Sequence, residues 1–121
     1  EPHHVYFAPG GYHLLIEKDR TFSLSQDDPI RYSRPSIDLG LETAARSLGE
    51  NLVAVILTGA NGDGAEGLMA VRAHGGLCVV QDPAEAEHPE MPRAAVAMLK
   101  PDHLVRLAEL PPLLERLGAS R

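Results

Sequence analysis

Apolar residues change their spacing several times along the chain, and each change marks an expected element. Phe22 and Leu24 alternate with polar neighbours, a period of two that gives a strand one buried and one wet face. Residues 12–17 carry a comparable apolar stretch, so 12–17 and 21–25 are expected to pair as a hairpin across Lys18, Asp19 and Arg20. Residues 4–8 read as a short strand ahead of the turn Pro9-Gly-Gly11. Beyond a polar loop through Asp27, Asp28 and Pro29, the period lengthens: Ile37, Leu41, Ala44, Ala45 and Leu48 recur at helical spacing. Pro35 stands where a first helical residue would, Ser36 and Asp38 fall in the opening turn, and Gly49 follows the last turn.

Residues 52–57 are apolar without alternation, the pattern of a strand covered on both faces, hence parallel and central. A turn over 58–64 leads into a helix over 65–74 with Leu68 and Met69 inward, stopped by Gly75-Gly76, and 77–80 is a second apolar strand. This is a βαβ unit, whose crossover is expected to be right-handed. Asp82-Pro83 turns the chain, Pro92 opens a helix carrying Ala95, Val96 and Leu99, and 103–107 is a short strand. Pro111-Pro112 begins the last helix, because a proline in a helix interior costs about 3 kcal/mol or more.

Composition narrows the class. Hydrophobic residues are 44% of the 121 but aromatics only 4%, so the core is built from Ala, Val, Leu and Ile. The length suits one domain. Eleven Lys and Arg stand against 17 Asp and Glu, a net charge of −6, and the cations are dispersed. A nucleic-acid partner needs a basic stripe, so none is expected. The single cysteine, Cys78, has no intrachain partner and sits in the apolar run Leu77-Cys-Val-Val80, which makes it a buried strand residue and fits a cytoplasmic setting. The longest apolar run falls far short of the roughly 20 residues of a membrane helix, so membrane insertion is not expected. The opening Glu1-Pro-His-His4 runs straight into a strand-like segment, as a chain starting part-way through a larger domain would.

The segment with most chemical content is Leu57-Thr-Gly-Ala-Asn-Gly-Asp-Gly-Ala-Glu-Gly-Leu68, a glycine-rich turn from the carboxyl end of a buried strand into a helix. Sites in α/β sheets lie at such ends, where backbone N–H groups and the helix start favour an anion or a developing oxyanion. Asp63 stands at that mouth. It can cap the helix by accepting a backbone N–H, or it can orient a histidine. The glycines match neither phosphate-binding pattern, and no Lys follows the turn. The six histidines show neither helical pairing nor a Cys partner at ligand spacing, so no metal site is expected, and no cofactor. Asn61-Gly-Asp63 does not continue as a calcium loop. No serine has a Gly-x-Ser-x-Gly frame. Residues 31–38 read as the polar start of a helix that could also face a substrate.

Taken in order, several segments are similar to the catalytic domain of chemotaxis protein-glutamate methylesterases, the CheB family. They are Val5-Tyr-Phe-Ala-Pro-Gly-Gly-Tyr-His13, Ser33-Arg-Pro-Ser-Ile-Asp38, Val55-Ile-Leu-Thr-Gly59 with Asn61-Gly-Asp-Gly-Ala65, Val80-Gln-Asp-Pro-Ala84, and Met91-Pro92. The resemblance covers almost the whole chain. It implies an α/β fold, a mostly parallel sheet flanked by helices in a Rossmann-like three-layer sandwich with a β-hairpin, incomplete at the N-terminal side. It also implies hydrolysis of glutamate γ-methyl esters on methylated chemoreceptors, with release of methanol, and a related glutamine deamidation.

The family uses a Ser-His-Asp triad, and its aspartate falls on Asp63. Ala60 stands where the family often has Met near the oxyanion site, so Ala60 and Asn61 are expected to line that site or the substrate. Gly40 also departs from the family, which usually has a larger residue there; in a helix interior it costs roughly 0.5 to 1 kcal/mol. The family's serine and histidine lie ahead of the segment matched here, and His3 and His4 are not in that histidine's context. The chain is therefore expected to be the C-terminal part of a methylesterase catalytic domain, inactive alone, with a receiver domain possible upstream and self-association possible through an exposed sheet edge. The alternative is a non-catalytic interaction or regulatory module on the same scaffold. A nucleotide-binding turn like that of lipid kinases would need Lys or Arg neighbours, which the turn lacks.

Overall fold

The computed structural model describes residues 13–19, 21–25, 37–59 and 63–119. The expected strand over 4–8, its turn, the loop over 27–29, Pro35 and Ser36 lie outside these. Strands β1 (His13–Ile16) and β2 (Phe22–Ser25) form the antiparallel hairpin, in the register Leu14 to Leu24 and Ile16 to Phe22. Its turn is fixed by Asp19, whose Oδ1 accepts the Thr21 backbone N–H at 3.0 Å and the Thr21 hydroxyl at 2.6 Å.

Helix α1 (Ile37–Leu48) packs on β1. Thr43 ties them: its Oγ1 accepts the Ile16 N–H at 2.9 Å and donates to the Gly40 carbonyl at 2.9 Å. Strand β3 (Val53–Ile56), helix α2 (Ala65–Ala73) and strand β4 (Leu77–Gln81) are the expected unit, with β3 and β4 parallel. Helix α3 (Glu90–Met98) follows, then β5 (His103–Val105), parallel to β4 in a sheet of order β3-β4-β5. Asp102 sets that last pairing by accepting the Cys78 N–H at 2.8 Å and donating its own N–H to the Cys78 carbonyl at 2.9 Å. A 3-10 turn, Leu107–Glu109, ends the expected strand early and leads into α4 (Leu110–Ala119). Pro111 and Pro112 thus fall in the first turn of α4, where missing N–H groups cost nothing. For the same reason α3 starts at Glu90, two residues ahead of Pro92.

Direct pairing puts Ala54, Ile56, Cys78 and Val80 on one face of the sheet. They form the core with Leu68 and Val71 of α2 and Met91 and Ala95 of α3. Cys78 is fully buried, its thiol donating to the Leu68 carbonyl at 3.4 Å, and burial pushes that thiol up. Val79, pointing the other way, is also fully buried, so β4 is the strand covered on both faces. β3 is not: Val53 and Val55 are half-buried, and among the described residues β3 pairs only with β4. The expected parallel strand over 52–57 is β3, and the middle strand of the described sheet is β4.

Met69 is also corrected. The helix turns its side chain some 100° from Leu68, and α2 buries Ala65, Gly67, Leu68 and Val71 while Met69 stays 45% exposed. Val96 in α3 is likewise exposed.

Candidate functional site

The carboxyl end of β3 is fixed to the loop before α3. Gly59 N–H donates to the His88 carbonyl at 2.8 Å, and Met91 N–H donates to the Gly59 carbonyl at 3.0 Å. Thr58 N–H donates to the buried Gln81 Oε1 at 2.8 Å, while His88 N–H donates to Thr58 Oγ1 at 2.7 Å. Gln81 in turn gives its amide N–H to Glu85 at 2.9 Å. That bond, followed by one from Leu107 N–H, holds the Glu85 carboxyl below the usual range. The ends of β3 and β4 are therefore tied to each other and to the loop before α3.

Ahead of α2, Gly64 has φ +107°, a conformation other residues rarely adopt, and a Cβ there would lie 2.6 Å from Ile56 Cδ1. Asp63 comes just before it, 5% exposed. Its Oδ2 accepts the Ile37 N–H at 2.7 Å, and its Oδ1 accepts the Asp38 N–H at 3.1 Å. Asp63 thus caps α1, not the helix it precedes. The start of α2 is held instead by Asp38, whose Oδ1 accepts the Gly64 N–H at 2.9 Å and the Gly67 N–H at 2.8 Å. The two helix starts exchange caps. Each cap of this kind is worth about 0.5–2 kcal/mol.

Close packing makes the exchange possible. A Cβ on Gly67 would fall 2.7 Å from Leu41 Cβ and 3.1 Å from Asp38 Cα, so α1 and α2 touch through a position with no side chain. Asp38 is only 4% exposed, and its second oxygen, Oδ2, has no hydrogen-bond donor among the described residues. Burial pushes its carboxyl above the usual range; the Gly67 N–H opposes this, and the adjoining Asp63 side chain adds to it.

The sequence singled out Asp63 but not Asp38, because an acid in the first turn of a helix is the ordinary complement to the helix dipole. Ala60 and Asn61 lie outside the described residues. Among the described residues no three His, Cys, Asp or Glu side chains gather as a metal site. A shallow groove of about 600 Å³ bounded by Ala108, Glu109, Pro112, Glu115 and Arg116 shares no residue with the Asp63 turn.

The structure thus places a buried aspartate after the carboxyl end of a parallel strand, held by two backbone N–H groups of α1. Comparison with known proteins decides the family. The family model described as CheB methylesterase matches residues 1–114. The chain belongs to the CheB methylesterase family.

Its CheB relatives include a candidate protein-glutamate methylesterase/protein-glutamine glutaminase of Leptospira interrogans, 50% identical over 113 residues, which cover 93% of this chain and 58% of that protein. A protein-glutamate methylesterase/protein-glutamine glutaminase of Bordetella pertussis is 38% identical, covering 97% of this chain and 35% of that protein. The fold is that of the CheB methylesterase catalytic domain of Thermotoga maritima: TM-score 0.86 at 29% identity, over 96% of this chain and 61% of that domain. The chain thus spans about three fifths or less of the proteins it matches.

Proposed function

We propose that this segment supplies the carboxylate of a Ser-His-Asp triad that hydrolyses glutamate γ-methyl esters on methylated chemoreceptors. The observation that carries the reading is Asp63: buried, held by α1 through Ile37 and Asp38, and placed where a family named for methylesterase activity matches the chain. In such a triad the carboxylate accepts Nδ1–H of the histidine and fixes its tautomer. The histidine then takes the proton of the serine hydroxyl as the serine attacks the ester carbonyl, and returns it to the departing methanol. Water repeats the sequence on the acyl-enzyme. With a glutamine side chain the leaving group is ammonia, which is the glutaminase activity named for the relatives.

The serine and the histidine belong to the part of the catalytic domain outside these 121 residues, so the chain is the C-terminal part of that domain and is inactive by itself. Ala60 and Asn61 line the oxyanion or substrate side. A receiver domain ahead of the catalytic domain would regulate access. The setting is cytoplasmic, and no helix among the described residues is long and apolar enough to cross a membrane.

Methanol release from methylated receptor by the protein containing this segment tests the reading. Asp63→Ala is expected to lower kcat by about 10³–10⁴. Unchanged turnover would remove Asp63 from the triad, whereas no methanol release from the wild type would leave a non-catalytic module as the better reading.

A further inference from the structure

The triad reading leaves one buried ionisable group unused. Asp38 lies against Asp63 with both of its backbone acceptances on a single oxygen, Oδ1, while Oδ2 is buried without a donor. A charged carboxylate oxygen stripped of water and given no donor is strongly disfavoured in an apolar setting. A protonated oxygen beside an acceptor does not carry that cost, because O–H is a donor. Asp63 supplies the acceptor. The Ile37 and Asp38 N–H groups meet one site on each of its oxygens, and each carboxylate oxygen carries two lone-pair sites.

We propose that Asp38 is the positioning residue for Asp63: a neutral carboxyl that donates from Oδ2 to the Asp63 carboxylate while its Oδ1 holds the start of α2. This inference rests on the triad reading above. The proton stays on Asp38 throughout, and Asp63 remains the anion that faces the histidine. The Asp38 hydroxyl then joins the Ile37 and Asp38 N–H groups in fixing Asp63. The absent side chain of Gly67 lets Asp38 approach closely enough to serve both helices.

The charged groups on the packed elements are Glu42 and Arg46 on α1, Glu66 and Arg72 on α2, Glu17 beyond β1, and Asp63. Of these it is Asp63 that raises the Asp38 carboxyl, after burial itself. Two like charges in one dry site cannot both form cheaply. Deprotonating Asp38 replaces a donor to Asp63 with a repelling anion, so activity should fall as pH rises through its raised folded-state value.

Two substitutions in the protein that carries the serine and histidine separate the roles. Asp38→Asn keeps an acceptor for Gly64 and Gly67 and offers an amide N–H to Asp63. Asp38→Ser keeps an acceptor for α2 but is too short to reach Asp63. Asp38→Asn should keep kcat within about threefold and extend activity to higher pH; Asp38→Ser should lose about tenfold or more in kcat at unchanged KM. The wild-type infrared spectrum at neutral pH should show a protonated-carboxyl stretch that Asp38→Asn removes, a readout independent of how well Asp38→Ser folds. Equal kcat for the two variants at matched melting temperature, or no such stretch in the wild type, overturns the proposal. Full turnover in Asp63→Ala would instead overturn the triad reading, and the infrared stretch would still decide the state of Asp38.

Discussion

Asp38 and Asp63 show how much one residue's surroundings change its meaning. Both are acids near helix starts, where the dipole welcomes negative charge, yet each serves the other helix. The cost is ionisation. Asp38's folded-state value is raised above its ordinary 3.8, so the stability it contributes is present below that pH and is lost as pH rises through the folded value. Asp38→Asn keeps the acceptor and cannot ionise. Its melting temperature should gain on the wild type as pH rises from about 4 toward neutrality and converge with it below that, by calorimetry across pH. Asp63 was legible in the sequence because a glycine-rich turn after an apolar strand is an uncommon pattern. Asp38 was not, because its partner lies 25 residues away and only the packing of α1 on α2 brings them together.

Among the elements, spacing disclosed that helices exist and left their rotation about the axis partly open. Leu68 and Met69 are both apolar neighbours, but α2 turns Leu68 to the sheet and Met69 to solvent. The glycines of the two touching helices differ in the same hidden way. At Gly40 a Cβ would meet the Leu14 carbonyl at 3.5 Å, an ordinary contact, so the family's preference for a larger residue there is compatible with the space. Gly40→Ala should therefore raise stability by about 0.5–1 kcal/mol through reduced unfolded-state freedom. Gly67→Ala should lower it by about 1–3 kcal/mol, because the methyl meets Leu41 and the backbone at Asp38. Urea denaturation of both variants checks the opposite signs. Gly67→Ala should also lower kcat in the active protein, since it separates the exchanged caps.

At the scale of the whole molecule, the described order β3-β4-β5 has β4 in the middle and gives β3 one paired side among the described residues. A parallel strand with one edge unpaired among the described residues, and with half-buried valines, is a template for association. The 121-residue chain by itself should sediment as dimers or larger species, and charge substitutions at Val53 or Val55 should reduce them. A monomer with a single cooperative melt would show that this edge is covered. The proteins that match this chain extend well beyond it, which is the expected source of that cover in the longer protein.

By itself the sequence determined the hairpin, the four helices, the parallel pairing of β3 with β4, the α/β class and, through motifs in their order, the family. Those follow from local periodicity, from turn residues whose conformations are restricted, and from short patterns that are specific in combination. Tertiary structure alone decided that β4 is covered on both faces, which face of α2 is buried, and that Asp38 and Asp63 cap each other's helices. The reason is common to all three: each depends on groups distant in the chain meeting where water is excluded, and the strength of a cap, a charge or a burial is set by that meeting and not by the residue's neighbours in sequence.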